Sequence, residues 1–152
     1  MGLFKSLFLT LLFAVLACTA PLPQSNTPDI ITIGDPPTPS ADYTLVQVGF
    51  TYPLNYNFVA SQPTAVQQIA QYLPKAIADD LGIAESEVVI VYLAPLDEGS
   101  YLATVARLYI PNSEVGQLAK DIITPTSPLY HNSDATVTAL TALIDPGIPI
   151  SP

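Results

Sequence analysis

The sequence predicts an α+β fold: an antiparallel sheet with helices packed on one face, a βαββα(β) sandwich spanning residues 43–150. Three observations predict it. Apolar residues alternate with a period of two over residues 44–52 and 101–110, as half-buried strands require. Val88-Val89-Ile90-Val91-Tyr92-Leu93 is a continuous β-branched and aromatic run, too short for a helix and suited to a central strand. Around these runs, apolar residues recur at spacings of three and four, the helical period.

In chain order, Met1 to Ala20 has the parts of a secretory leader. Lys5 is the positive n-region, Leu7 to Leu16 an apolar stretch, and Ala17, Thr19 and Ala20 are small residues near a cut site. The stretch falls short of the roughly 20 apolar residues that span a bilayer. Two lipidation patterns overlap it. Residues 2–6 fit a loose N-myristoylation motif, and Val15-Leu16-Ala17-Cys18 resembles a lipobox in which Leu16 fits poorly; the leader reading is preferred to both. Cleavage would remove Cys18, the only cysteine, so the exported chain is expected to hold no disulfide. Residues 21–42 then read as a linker. Pro21, Pro23, Pro28, Pro36, Pro37 and Pro39 keep it extended, and its Ser and Thr residues permit O-glycosylation. Within it, Asp29 to Ile33 has the composition of a short edge strand, although a plain spacer is the simpler reading.

The folded unit is expected to start near Tyr43. Val46, Val48, Phe50 and Tyr52 share the apolar face of its first strand. After a turn, Ser61 can cap a helix that turns Val66, Ile69, Ala70, Leu73, Ile77 and Leu81 inward. Pro74 inside it should kink or split it, and Gly82 can end it in a left-handed turn. The central strand, the turn Asp97-Glu98-Gly99-Ser100 and the strand from Tyr101 to Ile110 form a hairpin. Asn112 or Ser113 opens a second helix with Val115, Leu118, Ala119, Ile122 and Ile123 inward, ended by Pro125 and Pro128. Asn132 or Ser133 opens a third that buries Val137, Leu140, Leu143 and Ile144. Ile148-Pro149-Ile150 can only be a short edge strand, because Pro149 has no N–H to donate.

Composition narrows function. With 13 acidic against 4 basic residues, a formal charge of −9, the chain lacks the clustered basic face that nucleic acid or an anionic membrane demands. Only 11% of residues are charged and 49% are hydrophobic, a balance that suits an exported protein better than a cytosolic one. Asn26, Asn112 and Asn132 all fail the Asn-x-Ser/Thr rule, so N-glycosylation is excluded. No metal-ligand or cofactor motif is present, and no membrane span is expected once the leader is gone.

Several stretches resemble a domain of fungal secreted and cell-surface glycoproteins. They are Val48-Gly49-Phe50-Thr51-Tyr52-Pro53-Leu54-Asn55-Tyr56 with Phe58-Val59, Gln68-Ile69, Tyr72-Leu73-Pro74, Tyr109-Ile110-Pro111, Ser127-Pro128-Leu129-Tyr130 and Ile144-Asp145-Pro146. That resemblance implies an extracellular place and little chemistry. The element order is also similar to a SEA domain, the extracellular module of mucin-like proteins. Some SEA domains cut themselves at a Gly-Ser in the corresponding hairpin, where Gly99 and Ser100 lie here. Such chemistry draws on a strained turn that drives the serine hydroxyl onto the preceding carbonyl. Tyr101-Leu102-Ala103 departs from the aliphatic run that follows in self-cleaving members, and Gly-Ser is an ordinary turn dipeptide.

Conventional catalysis has little material. His131 is the one general base, and no Gly-x-Ser-x-Gly elbow accompanies it; a loop histidine is the simpler reading. Asp79-Asp80 reads as a solvated helix face and Asp97-Glu98 as a polar turn, since adjacent carboxylates point apart. Tyr43, Tyr101 and Tyr109 fall on the sheet face turned from the helices, where they either line an ordinary β surface or meet carbohydrate or protein. The expectation is therefore a non-enzymatic secreted or cell-surface module, without cofactor or metal, making extracellular protein or glycan contacts. Two alternatives stand beside it: a propeptide-like protease inhibitor using the tail Ile148–Pro152, and a module self-cleaved at Gly99-Ser100.

Overall fold

The computed structural model describes residues 27–35, 38 and 40–152; the expected leader and the start of the linker lie outside the described residues. Four strands form one antiparallel sheet. β1 is Ile31–Thr32, β2 Tyr43–Gly49, β3 Val89–Asp97 and β4 Leu102–Pro111, in the order β1-β3-β4-β2. Since β4 is antiparallel to both β2 and β3, those two strands run the same way with β4 between them. Such a pair cannot be joined by a hairpin and needs a crossover. The crossover is made by helix α1 (Tyr56–Ser61) and helix α2 (Pro63–Leu81), the latter about 28 Å long at 1.5 Å per residue. Helices α3 (Val115–Ile122) and α4 (Ala135–Thr141) follow the hairpin.

One core lies between the helices and a single sheet face. Val46 and Val48 of β2, Phe50 just after it, Leu93 of β3, and Ala106, Leu108 and Ile110 of β4 meet Ile69, Leu73 and Ile77 of α2, Leu118 and Ile122 of α3, and Val137 of α4. This is the predicted α+β sandwich. In β3 a bulge at Val91 leaves one residue unpaired, since Ile90 pairs with Leu108 but Tyr92 with Arg107. The extra residue reverses the side-chain phase, so Ile90 and Leu93 both reach the core and the run looks continuous in sequence.

Local chemistry departs from expectation at several positions. Tyr52 does not continue the apolar face of β2: it starts a 3-10 turn, Tyr52–Leu54, and is 64% exposed. Asn55, not Ser61, caps the next helix, accepting from the Phe58 amide at 3.0 Å. Ser61 ends α1 and donates back to the Phe58 carbonyl, and α2 begins with Pro63 at its first position, where a missing N–H costs nothing. Pro74 does not split α2; it is buried within one uninterrupted helix. Gly82 ends that helix at φ +67°, as expected. Asn112 caps nothing: it accepts from Thr44 Oγ1 at 2.6 Å and donates to the Ala41 carbonyl at 2.8 Å, pinning the start of β2 to the end of β4. Asp134, not Asn132 or Ser133, caps α4 through the Thr136 amide and pairs with Lys75 of α2 at 3.0 Å.

The segments that flank the folded unit pair along both sides of its three long strands. β1 lies along β3, and Tyr56 Oη donates to the Pro28 carbonyl at 2.8 Å. Along β2, Thr51 N–H donates to Leu143, Asp145 N–H to Gly49, and Gln47 N–H to Ile150, at 2.7–2.9 Å. The tail thus takes the place of the last strand of a βαββαβ sheet without forming a regular one, because Pro146 and Pro149 lack donors. Its excursion drops Ile148 onto Ala103 and Val105, on the sheet face away from the helices. Gln47 holds it there, donating from Nε2 to the Pro149 carbonyl at 2.9 Å. Gly49 makes this approach feasible, since a Cβ there would lie 2.8 Å from Ile148 Cβ. We predict that Gly49→Ala destabilises the fold by about 1–3 kcal/mol, read as a lower urea midpoint at unchanged slope; an unaltered midpoint would show that the tail gives way freely.

Candidate functional site

Where α3 meets the tail, the surface holds an apolar groove. Ile122 and Ile144 form its floor, Pro125, Tyr130 and Pro146 its walls, and Ile123 its rim, enclosing about 300 Å³. A second depression of about 250 Å³ shares Ile122, Ile123 and Pro146 and continues past Ala119 along Ile148, Pro149 and Ile150. Ile123 was expected inward but is 65% exposed. Adjacent helical residues diverge by about 100°, so Ile122 and Ile123 cannot both face the core, and that spacing alone could have flagged the groove. Tyr130 is held in place by its hydroxyl, which donates to the Ile122 carbonyl at 2.6 Å. Burial, then the nearby Asp80 and Asp145, push that hydroxyl's pKa up, so it remains a donor.

Next to the groove-lining Ile122 and Tyr130, two acids act on each other. Asp80, near the end of α2, is not on a solvated helix face: both its carboxyl oxygens are closed off from solvent and lack a well-aligned donor. Burial, and secondarily the neighbouring Asp121 of α3, push its pKa up to about 6, against a small opposing pull from the Leu129 amide. Asp121 is 5% exposed and accepts from Gln117 Nε2 at 2.7 Å. These acids are 41 residues apart in the chain, so no local pattern announces them. Asp79 does face outward, where it accepts from Asn132.

At the opposite end of β4, Tyr52 and Tyr101 form an edge-to-face pair with centroids 5.3 Å apart. Of the anticipated aromatic face, Tyr101 contributes to this pair, whereas Tyr43 and Tyr109 lie elsewhere along the strands. Gly99 and Ser100 sit at the exposed hairpin tip. Gly99 takes φ +79°, which glycine adopts without penalty, and its N–H donates to Asp97 Oδ1 at 2.8 Å. Every residue with positive φ among those described is a glycine, so the turn shows no left-handed strain on Ser100. His131 is exposed, with Nε2 3.2 Å from the Pro125 carbonyl, and is not brought to any serine. Among the described residues no group of three or more potential metal-ligating side chains comes together. Nor, among them, is any helix long and apolar enough to cross a membrane.

The profile of the MSB2 C-terminal domain matches residues 26–144, which takes in the sheet, all four helices and the groove's floor. The chain belongs to the MSB2 C-terminal domain family. It is 33% identical over 111 residues to the signaling mucin MSB2 of Saccharomyces cerevisiae, covering 72% of this chain and 8% of that protein. It is 34% identical over 116 residues to the cell surface sensor MSB2 of Pyricularia oryzae, covering 70% of this chain and 14% of the sensor. The signaling mucin HKR1 of Saccharomyces cerevisiae is 23% identical over 196 residues, covering 87% of this chain and 11% of that mucin. The chain therefore spans about a seventh or less of each relative's length. No solved structure matches it.

Two outcomes are expected from the site's geometry. Tyr130→Phe should cost about 1 kcal/mol in urea denaturation by orphaning the Ile122 carbonyl, while Ile123→Asp should stay within about 0.5 kcal/mol. The purified protein should run as one band in SDS; two fragments joining at Gly99-Ser100 would show that the hairpin cuts itself despite its relaxed turn.

Proposed function

We propose that this domain is a non-enzymatic module of a fungal cell surface, and that its α3–tail groove docks an extended apolar segment of an extracellular protein. The observation that carries the docking is the continuity of the apolar surface across Ile122, Ile123 and Pro146. A groove lined by proline and isoleucine has few donors to offer, so it selects side chains rather than a paired strand. Family membership supports the cell-surface setting, since the relatives are described as signaling mucins and a cell surface sensor. The acidic balance of the chain disfavours nucleic acid as a partner. The Ser and Thr residues among the prolines before β2 would be open to O-glycosylation at such a surface.

The inhibitor alternative has less support. Ile148 and Ile150, which it would insert into a protease cleft, are buried against the domain's own sheet. A glycan reading is favoured by one observation, the pairing of exposed Tyr52 with half-buried Tyr101, because tyrosine rings stack on sugar faces. One experiment separates the two. Apolar peptides selected from a displayed library should bind the wild type and lose at least tenfold in affinity with Ile123→Asp, while Tyr52→Ala and Tyr101→Ala bind normally. Glycan-array binding lost with the tyrosine variants, and no selectable peptide, would replace docking by carbohydrate recognition.

A further inference from the structure

The Asp80–Asp121 contact carries more than a structural reading. Asp121 is the hub of the segment after α3: its carbonyl accepts from the Thr124 amide at 3.1 Å and from Ser127 Oγ at 2.9 Å. Ser127 in turn begins the turn Pro128–Tyr130, whose tyrosine closes back on Ile122. The start of the return from α3 to α4 is therefore tied to Asp121, whose carboxyl acts on the Asp80 carboxyl of α2. The groups that act on Asp80 are the Asp121 carboxyl of α3 and the Leu129 amide, and Asp80 and Asp145 both act on the Tyr130 hydroxyl. No basic side chain among the described residues acts on Asp80; Lys75, on the same helix, is engaged by Asp134. Gln117 satisfies one oxygen of Asp121 and leaves Asp80 without a well-aligned donor. Two buried carboxyls facing each other without a cation are held best by one proton shared between them.

We propose that Asp80 and Asp121 form an acid-held latch: a shared proton clamps α3 to α2, and its loss to solvent loosens α3 and the return segment 124–130. The sign follows from Asp80's position above its usual 3.8. A carboxyl raised by folding stabilises the closed form fully below its unfolded value, and that contribution is lost as pH rises through about 6. Between pH 5 and pH 7.5 the closing equilibrium should fall roughly tenfold. Since Ile122, Ile123 and Tyr130 line the groove, the latch also sets the groove's shape; that consequence alone rests on the docking reading.

The test reads the latch without any ligand. Hydrogen exchange of the full chain, corrected for intrinsic rates, should show protection of residues 118–130 about tenfold lower at pH 7.5 than at pH 5. Asp80→Asn, which keeps shape without the charge, should show equal protection at both. Equal protection in the wild type, or the same pH dependence in Asp80→Asn, would overturn the latch. Should that variant fail to fold, carbon-13 titration of the wild-type carboxyls decides: an apparent midpoint near 6 sustains the latch, and ordinary values near 4 for both acids sink it. Failure of docking would leave these readouts untouched.

Discussion

The structure depends on one topological constraint: β2 and β3 run in the same direction and β4 lies between them. Strands so arranged cannot be joined by a tight turn, so a crossover must pass over the sheet. The 19 residues of α2 are long enough to traverse it, and their stripe of Ile69, Leu73 and Ile77 seals one face. Once that helix is in place, α3 and α4 have no apolar surface to bury except beside it. All helices therefore gather on one side, and the other side is left to whatever the chain can spare.

What it spares is the tail, and the tail's irregularity generates the surface features. A regular final strand would pair along β2 and leave α3 as a smooth outer helix. Two prolines forbid that, so the tail touches β2 at intervals and bulges between, sending Ile148 across Gly49. The bulge and α3 then form the two banks of the groove. Edge protection and the apolar groove come from the same prolines, which remove the donors that an exposed edge would offer to another chain.

The acid pair belongs to the same geometry. Helices that share one face crowd together at their ends, and there two carboxyls meet away from water without a cation. Such a contact is a weak source of stability at neutral pH and a sensitive one in mild acid. Asp121 immediately precedes Ile122 of the groove, so the contact adjoins the element that carries Ile123, at 65% the most exposed large hydrophobic side chain among the described residues.

Local and periodic features follow from the order of residues alone. The period-two run of β4, the helical stripe of α2, the left-handed Gly82 and the hairpin at Asp97–Ser100 depend on neighbours within a few residues, and each was readable. Composition likewise bore on partners, since charge is a sum over residues. Capping was readable only in kind: Asn55 and Asp134 displaced the expected Ser61 and the expected Asn132 or Ser133, because a cap is chosen by where the chain enters a helix in space. Which side of α3 is bare, how the tail lies on β2, and that Asp80 meets Asp121 are settled by long-range packing. These are contacts between residues tens of positions apart. Their geometry is set by the crossover and by close approaches at single atoms, which no periodicity records.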